Sequence, residues 1–284
     1  MKKLCTLLFI SLTFSATSYG QTPAQNLMPD GSYDMYLGLG AVLRPSYEGA
    51  KKNKLAALPV MQVQWSNGAF LSGMSAGWHV SEQPQRDFGP LIMLEPSRSP
   101  SGLSNSIDPP RYFQNAGIGA EADSSKTSNK LVGLENIQVR LLYGGFYHLP
   151  LSSNLRQTNV LLYGAGNNKD GLRLSSDLRY SVPGLPSHHR VTLGLGMNIV
   201  NQAYAQSYFG VSESEAKQSL NQRFQAKAGV KDVHLDAYWN WNLSSSWLLT
   251  SRMQLGHLVG SASDSPLVER RTNFTVSTAF AYRF

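Results

Sequence analysis

Charge and cysteine are what this chain is short of. Charged residues make up 15% of its 284 residues, against roughly 25% in an average soluble domain. Mean hydropathy is still negative, so the polarity comes from Ser, Asn, Gln and Thr beside 25 Gly, a strand-and-turn composition. Beyond the N-terminus no apolar run approaches the roughly 18 residues that a membrane-crossing helix needs, which excludes a helical membrane protein. The single cysteine, Cys5, lies among the first residues, so the rest of the chain offers no disulfide, no thiolate nucleophile and no thiolate metal ligand. A dense basic block is missing too, which argues against a nucleic-acid partner.

The N-terminus reads as an export signal. Lys2 and Lys3 precede the apolar stretch from Leu4 to Phe14, and Ser18-Tyr19-Gly20 places small residues where a signal peptidase would cut. Residues 1–20 are therefore expected to be removed, which lowers the formal charge from +7 to +5, and 21–32 to form a periplasmic lead-in.

From residue 33 onward the dominant period is two. In 231–243, Val233, Leu235, Ala237, Trp239, Trp241 and Leu243 alternate with Asp232, His234, Asp236, Tyr238, Asn240 and Asn242. Segment 172–182 sets Leu172, Leu174, Leu178, Tyr180 and Val182 against Arg173, Ser175, Asp177, Arg179 and Ser181. The last segment sets Phe274, Val276, Phe280, Tyr282 and Phe284 against Thr275, Ser277 and Arg283. Successive strand side chains point to opposite faces, so each segment has one oily and one wet side. A soluble sandwich would bury the oily side; an outer-membrane barrel turns it to lipid. Length favours the barrel, since these segments match a tilted membrane strand of roughly 9 to 11 residues. So do the aromatics near strand ends and the Phe280, Tyr282, Phe284 terminus, which resembles the final strand that the outer-membrane assembly machinery recognises.

The expected fold is an all-β transmembrane antiparallel barrel over 33–284 of ten strands: 33–45, 54–65, 69–80, 134–148, 153–165, 171–182, 189–203, 231–243, 247–259 and 274–284. Phe88 to Leu94 is also strand-like and, with a further strand near 112–120, would make twelve. Short turns such as 66–68 and 244–246 fall on the periplasmic side, and the long connections 81–133 and 204–230 fall outside. Residues 96–130, rich in Pro, Ser, Asn and Gly, read as a surface loop.

Four segments in order resemble the MipA/OmpV family of outer-membrane proteins. They are Gly40 to Gly49, ending Pro45-Ser46-Tyr47-Glu48-Gly49; Tyr208-Phe209-Gly210-Val211; Asp264-Ser265-Pro266; and the closing Tyr282-Arg283-Phe284. Ala228 to Val233 is similar to the family's A-G-L-K-D-V strand entry, while the 99–130 insert departs from its pattern. The resemblance implies an outer-membrane barrel that scaffolds a lytic transglycosylase and a penicillin-binding protein; other members are described as porin-like or as adhesins.

No catalytic constellation is assigned, and no cofactor or metal. The pair His188-His189 lacks a third ligand nearby, and His234 with Asp236 has serines only in the adjoining turn and no nucleophile elbow. Arg173, Asp177, Arg179, Asp232, His234, Asp236, Arg252 and Arg283 are expected to face the lumen. In a narrow barrel they would pair and occlude it, with an open pore as the alternative. Tyr47-Glu48-Gly49 and Tyr208 to Val211 are expected to pin loop ends at the membrane rim, with ligand stacking as the alternative. Asp264-Ser265-Pro266 reads as a turn device. Lys51, Lys52 and Lys54 are placed to meet lipopolysaccharide phosphates or solvent.

Overall fold

Long alternating segments with small residues between them cannot bury one face alone, and here they close on themselves. The computed structural model describes residues 28–81, 86–100, 102–103 and 130–284. The leader 1–20, most of the 21–32 segment and the strand sought near 112–120 lie outside them. Twelve antiparallel strands form the closed barrel. They are β1 (Tyr33–Pro45), β2 (Asn53–Trp65), β3 (Ala69–Ser72), β4 (Ser75–Trp78), β5 (Asp87–Glu95), β8 (Arg140–Pro150), β9 (Leu155–Ala165), β10 (Gly171–Ser181), β11 (His189–Val200), β12 (Gly229–Asn242), β13 (Trp247–Leu258) and β14 (Thr272–Arg283). Between β5 and β8, the two-residue strands β6 (Arg98–Ser99) and β7 (Gly102–Leu103) make a separate outer hairpin. β14 closes the ring on β1, from Tyr36 opposite Arg283 to Leu43 opposite Val276.

The strand count corrects the expectation of ten in favour of twelve. The extra pair does not come from 112–120. Segment 69–80 is not one strand but a tight hairpin, folded back at Gly73 (φ +56°) and Met74, and 87–95 is a full barrel strand beside it. Glycine adopts positive φ without the Cβ clash other residues meet, and this permits the reversal.

Polarity is inverted relative to a soluble protein. On β12, Val233, Leu235 and Trp239 are exposed, while Asp232, His234, Asp236, Tyr238 and Asn240 are buried. The same holds on β14 for Phe274, Phe280 and Tyr282 against Ala279 and Ala281. A barrel with this surface needs lipid around it: burying a Leu- or Phe-sized side chain is worth about 1.5–3 kcal/mol, and dozens are at stake. The few polar groups on the outer wall bond to one another: Ser176 donates to Asn159 (2.8 Å), and the Ser251 and Thr278 hydroxyls lie 3.1 Å apart.

The interior has two characters. β5, β8 and β9 turn Leu91, Met93, Leu142, Phe146, Val160 and Leu162 inward, into one apolar cluster with Phe70. β10 to β13 turn charges inward. Short turns join the strands at the end bearing Phe284, the periplasmic end by this asymmetry; at the other end lie α1 (Gln202–Phe209), α2 (Glu213–Gln218) and α3 (Gly260–Ser263).

Candidate functional site

Most of the lumen charges form one network, and β11 explains how. Its inward face carries glycine at 194 and 196, so side chains from β10 and β12 can meet across it. Asp177 and His234 are both register partners of Gly196, and a Cβ there would collide with both. His234 Nε2 lies 2.9 Å from Asp177 Oδ1, and its Nδ1 lies 3.0 Å from Asp232 Oδ1. Carboxylates only accept, so both ring nitrogens donate and the ring acts as a cation. Arg252 donates to Asp236 through Nε (2.8 Å) and Nη2 (2.6 Å). Asn198 donates to both oxygens of Asp232, and Lys231 Nζ bridges Asp232 (3.1 Å) and Glu48 (2.6 Å). Arg173 pairs with Glu95 at 3.5 Å. Arg179 and Arg252 flank the Tyr238 ring at 5.6 and 5.1 Å. Arg283 lies apart, at the periplasmic seam, where its Nε donates to buried Asp34 (2.7 Å).

Asp177, His234 and Asp236 bring three ligand atoms within 4.8 Å of one another. That spacing would suit a metal, but His234 already spends both nitrogens on carboxylates and Asp236 is held by Arg252. An ion-pair network describes these groups fully.

The motif segments sit differently from the expectation. Tyr208 to Val211 does not pin a loop to the rim: it ends α1, which enters the outer mouth and packs Tyr204, Ala205 and Phe209 onto Leu162, Val200 and Leu258. Asn201 starts that helix, its side chain accepting from Tyr204 N (2.9 Å). Ser265, beyond its turn role, donates to the Phe209 carbonyl (2.6 Å), while Asp264 pairs with Arg271 at the surface. The Tyr47 hydroxyl donates to the Leu267 carbonyl (3.1 Å); burial first, and then Glu269, push its pKa up. Gly49 (φ +90°) turns its carbonyl to Glu269 N and Arg270 N (2.9 Å each). Tyr47, Ala50, Leu131, Leu134, Val211 and Leu267 then form a second buried cluster over the mouth. Segments up to 220 residues apart in sequence thus build one cap.

Sequence reasoning missed a third group. At the periplasmic end, Asp87 is held between His79 Nδ1 (2.5 Å) and His148 Nδ1 (2.7 Å), under the Phe70 and Phe146 rings. His148 alternates with Phe146 on β8, and that polar position within an apolar inward row was the available signal. His188 lies in the turn and His189 opens β11 opposite Trp241, their rings 4.3 Å apart. At the terminus, Phe280 stacks on Trp247 (4.5 Å), and Tyr282 meets both Trp247 and Phe284 edge-on (4.9 Å each).

Between cap and periplasmic packing lies a cavity of about 660 Å³, lined by Arg44, Arg173, Arg179, Lys231, His234 and Arg252 among others.

The sequence model of the family described as MltA-interacting protein MipA matches residues 37–284. Among curated proteins none matches the chain. Solved structures resemble it at low identity. The outer membrane channel DcaP of Acinetobacter baumannii is 10% identical over 89% of this chain and 96% of its own, with a TM-score of 0.38. The CymD monoaromatic hydrocarbon channel is 12% identical over 90% and 88% (TM-score 0.34), and OprG from Pseudomonas aeruginosa is 9% identical over 90% and 97% (TM-score 0.25). Scores of this size leave the architecture to be argued from the chain's own strand register.

Proposed function

Because the chain belongs to the MltA-interacting protein MipA family, we propose that it is a non-enzymatic outer-membrane anchor that presents its periplasmic turns to a murein-cleaving lytic transglycosylase and a murein-synthesising penicillin-binding protein. The observation that carries this reading, beside membership, is that the lumen is blocked at both ends. α1 and the cap occupy the outer mouth, and Tyr36, Gln64, Phe70, Phe146, His148 and Leu248 are all buried toward the other end. A barrel blocked at both ends suits an anchor better than a conduit. The turns at 66–68, 151–154, 182–188 and 243–246 supply a row of docking points.

Full-length protein in detergent should retain a lytic transglycosylase on a column after the outer connection 210–228 is shortened, and lose it when 182–188 and 243–246 are replaced by Gly-Ser turns. Retention that depends only on the outer loops would overturn the reading in favour of an adhesin. A second reading, a small channel, is favoured by the charged cavity. It requires single-channel conductance from the purified barrel in planar bilayers, which the anchor reading does not.

A further inference from the structure

Acyl chains offer no hydrogen bonds, so a polar side chain on the outer wall of a barrel is costly unless its donors and acceptors find partners. Two amides lie on that wall in mid-membrane. Thr158 and Val160 of β9 are buried and line the lumen, so Gln157 and Asn159, on either side of Thr158, point the other way. Their register agrees: Asn159 lies between exposed Tyr147 of β8 and Ser176 of β10, and Gln157 lies beside exposed Leu178. Asn159 is the fifth of eleven residues in β9, and Ser176 the sixth of eleven in β10. Exposed tyrosines mark both ends of this pair of strands, Tyr163 on the outer side and Tyr180 on the periplasmic side. Each is four residues from the cluster, roughly 13 Å along its strand.

The bonds within the cluster use only part of it. Gln157 Nε2 donates to Ser176 Oγ (3.3 Å) and Asn159 Oδ1 (3.4 Å), and Ser176 Oγ donates to Asn159 Oδ1 (2.8 Å). The Ser176 hydroxyl is thereby satisfied. Gln157 Oε1 and Asn159 Nδ2 have no partner among the described residues. An acceptor and an N–H pair are left over in the middle of the bilayer, and they are complementary. Ser251 and Thr278, also on the outer wall, differ, because each hydroxyl has the other as its partner.

We propose that β9 and β10 form the interface between two copies of this chain, related by a two-fold axis along the membrane normal, with Asn159 Nδ2 of each copy donating to Gln157 Oε1 of the other. The internal bonds hold both amide heads together and so at nearly one depth. Rotation about the normal preserves depth, so the two reciprocal bonds form at once. Lipid headgroups lie at the level of the tyrosines and do not reach the cluster. Around it the wall is apolar, and Gly145 of β8, the register partner of exposed Leu161, is a small position at which a second wall can approach. Apolar contact alone drives no association in hydrocarbon, so the amides supply the specificity. This surface is separate from the periplasmic turns, so partner retention and self-association succeed or fail independently.

The test uses the full chain carrying Cys5→Ser and Ser245→Cys, labelled in the exposed 244–246 turn with a donor or an acceptor fluorophore. Both forms are reconstituted together in phosphatidylcholine vesicles at falling protein density. Energy transfer should exceed chance proximity and follow a dimer isotherm. Asn159→Leu and Gln157→Leu should each weaken association by about tenfold, with heat-resistant gel mobility reporting folding. Thr278→Val, which also strips a hydroxyl from the lipid face, should match the parent. An equimolar mixture of Asn159→Leu with Gln157→Leu keeps one of the two bonds and should associate more tightly than either variant alone. Transfer at the chance level at every density overturns a second copy as the occupant. Association that Asn159→Leu and Gln157→Leu leave unchanged overturns this surface, as does equal weakening by Thr278→Val. A mixture no tighter than the single variants overturns the pairing of Asn159 with Gln157.

Discussion

At the scale of single residues, Gly196 decides whether the lumen network can exist. A methyl group there would push Asp177 and His234 apart, and separating buried charged partners costs about 1–3 kcal/mol for each bond lost. Gly196→Ala should lower stability by that order in urea unfolding from lipid, whereas Gly256→Ala, whose added methyl would meet nothing within 4 Å, should stay near the parent. Asp236→Ala removes the partner that Arg252 grips with two nitrogens and should cost about 3–5 kcal/mol, because an uncompensated buried charge remains. The network's members were legible, since alternation alone puts Arg173, Asp177, Asp232, His234, Asp236 and Arg252 on the wet face. Their pairing was not. It depends on register across three strands, and the one local hint, Leu193-Gly194-Leu195-Gly196, reads in isolation as a weak strand.

Among the elements, alternation failed wherever both faces are apolar or the strand is short. β8 exposes Leu141 and Tyr143 and buries Leu142 and Phe146, so His148 is the one buried polar residue that marks its inward side. β3 and β4 are too short to show a period, and only Gly73 separates them from one long strand. The helices inside the 204–230 connection were hidden for another reason: α1 has no polar face of ordinary width, because it is packed from several sides. α2 is more readable afterwards, since Ser212 and Glu215 form a capping box. Burial works to raise the Glu215 pKa, but the backbone N–H groups of Ser212 and Glu135 and the Ser212 hydroxyl hold it below its usual value. A carboxylate so depressed stabilises the fold above its unfolded pKa, and that contribution is lost as pH falls through the lowered one. Amide protection in 212–219, taken relative to the intrinsic exchange rate at each pH, should therefore be high at neutral pH and fall below the ordinary carboxylate range. In Glu215→Gln the pH dependence of that exchange should flatten.

For the molecule as a whole, the inverted surface was the most legible property, because it needs only the period and the length of each segment. Trp65, Trp78, Trp239 and Trp247 are all exposed on the barrel. Brominated lipid should quench most of the tryptophan emission, and a freely soluble, unquenched protein would contradict the fold. The cap was the least legible, because its parts come from connections that share no period. Tyr47 lies between β1 and β2, Phe209 between β11 and β12, and Leu267 between β13 and β14. These connections reach one another only when the first strand has met the last. A probe that recognises the joined surface, such as an antibody raised against it, would ignore half-assembled chains and count finished barrels alone, giving a direct readout of how fast closure occurs in living cells.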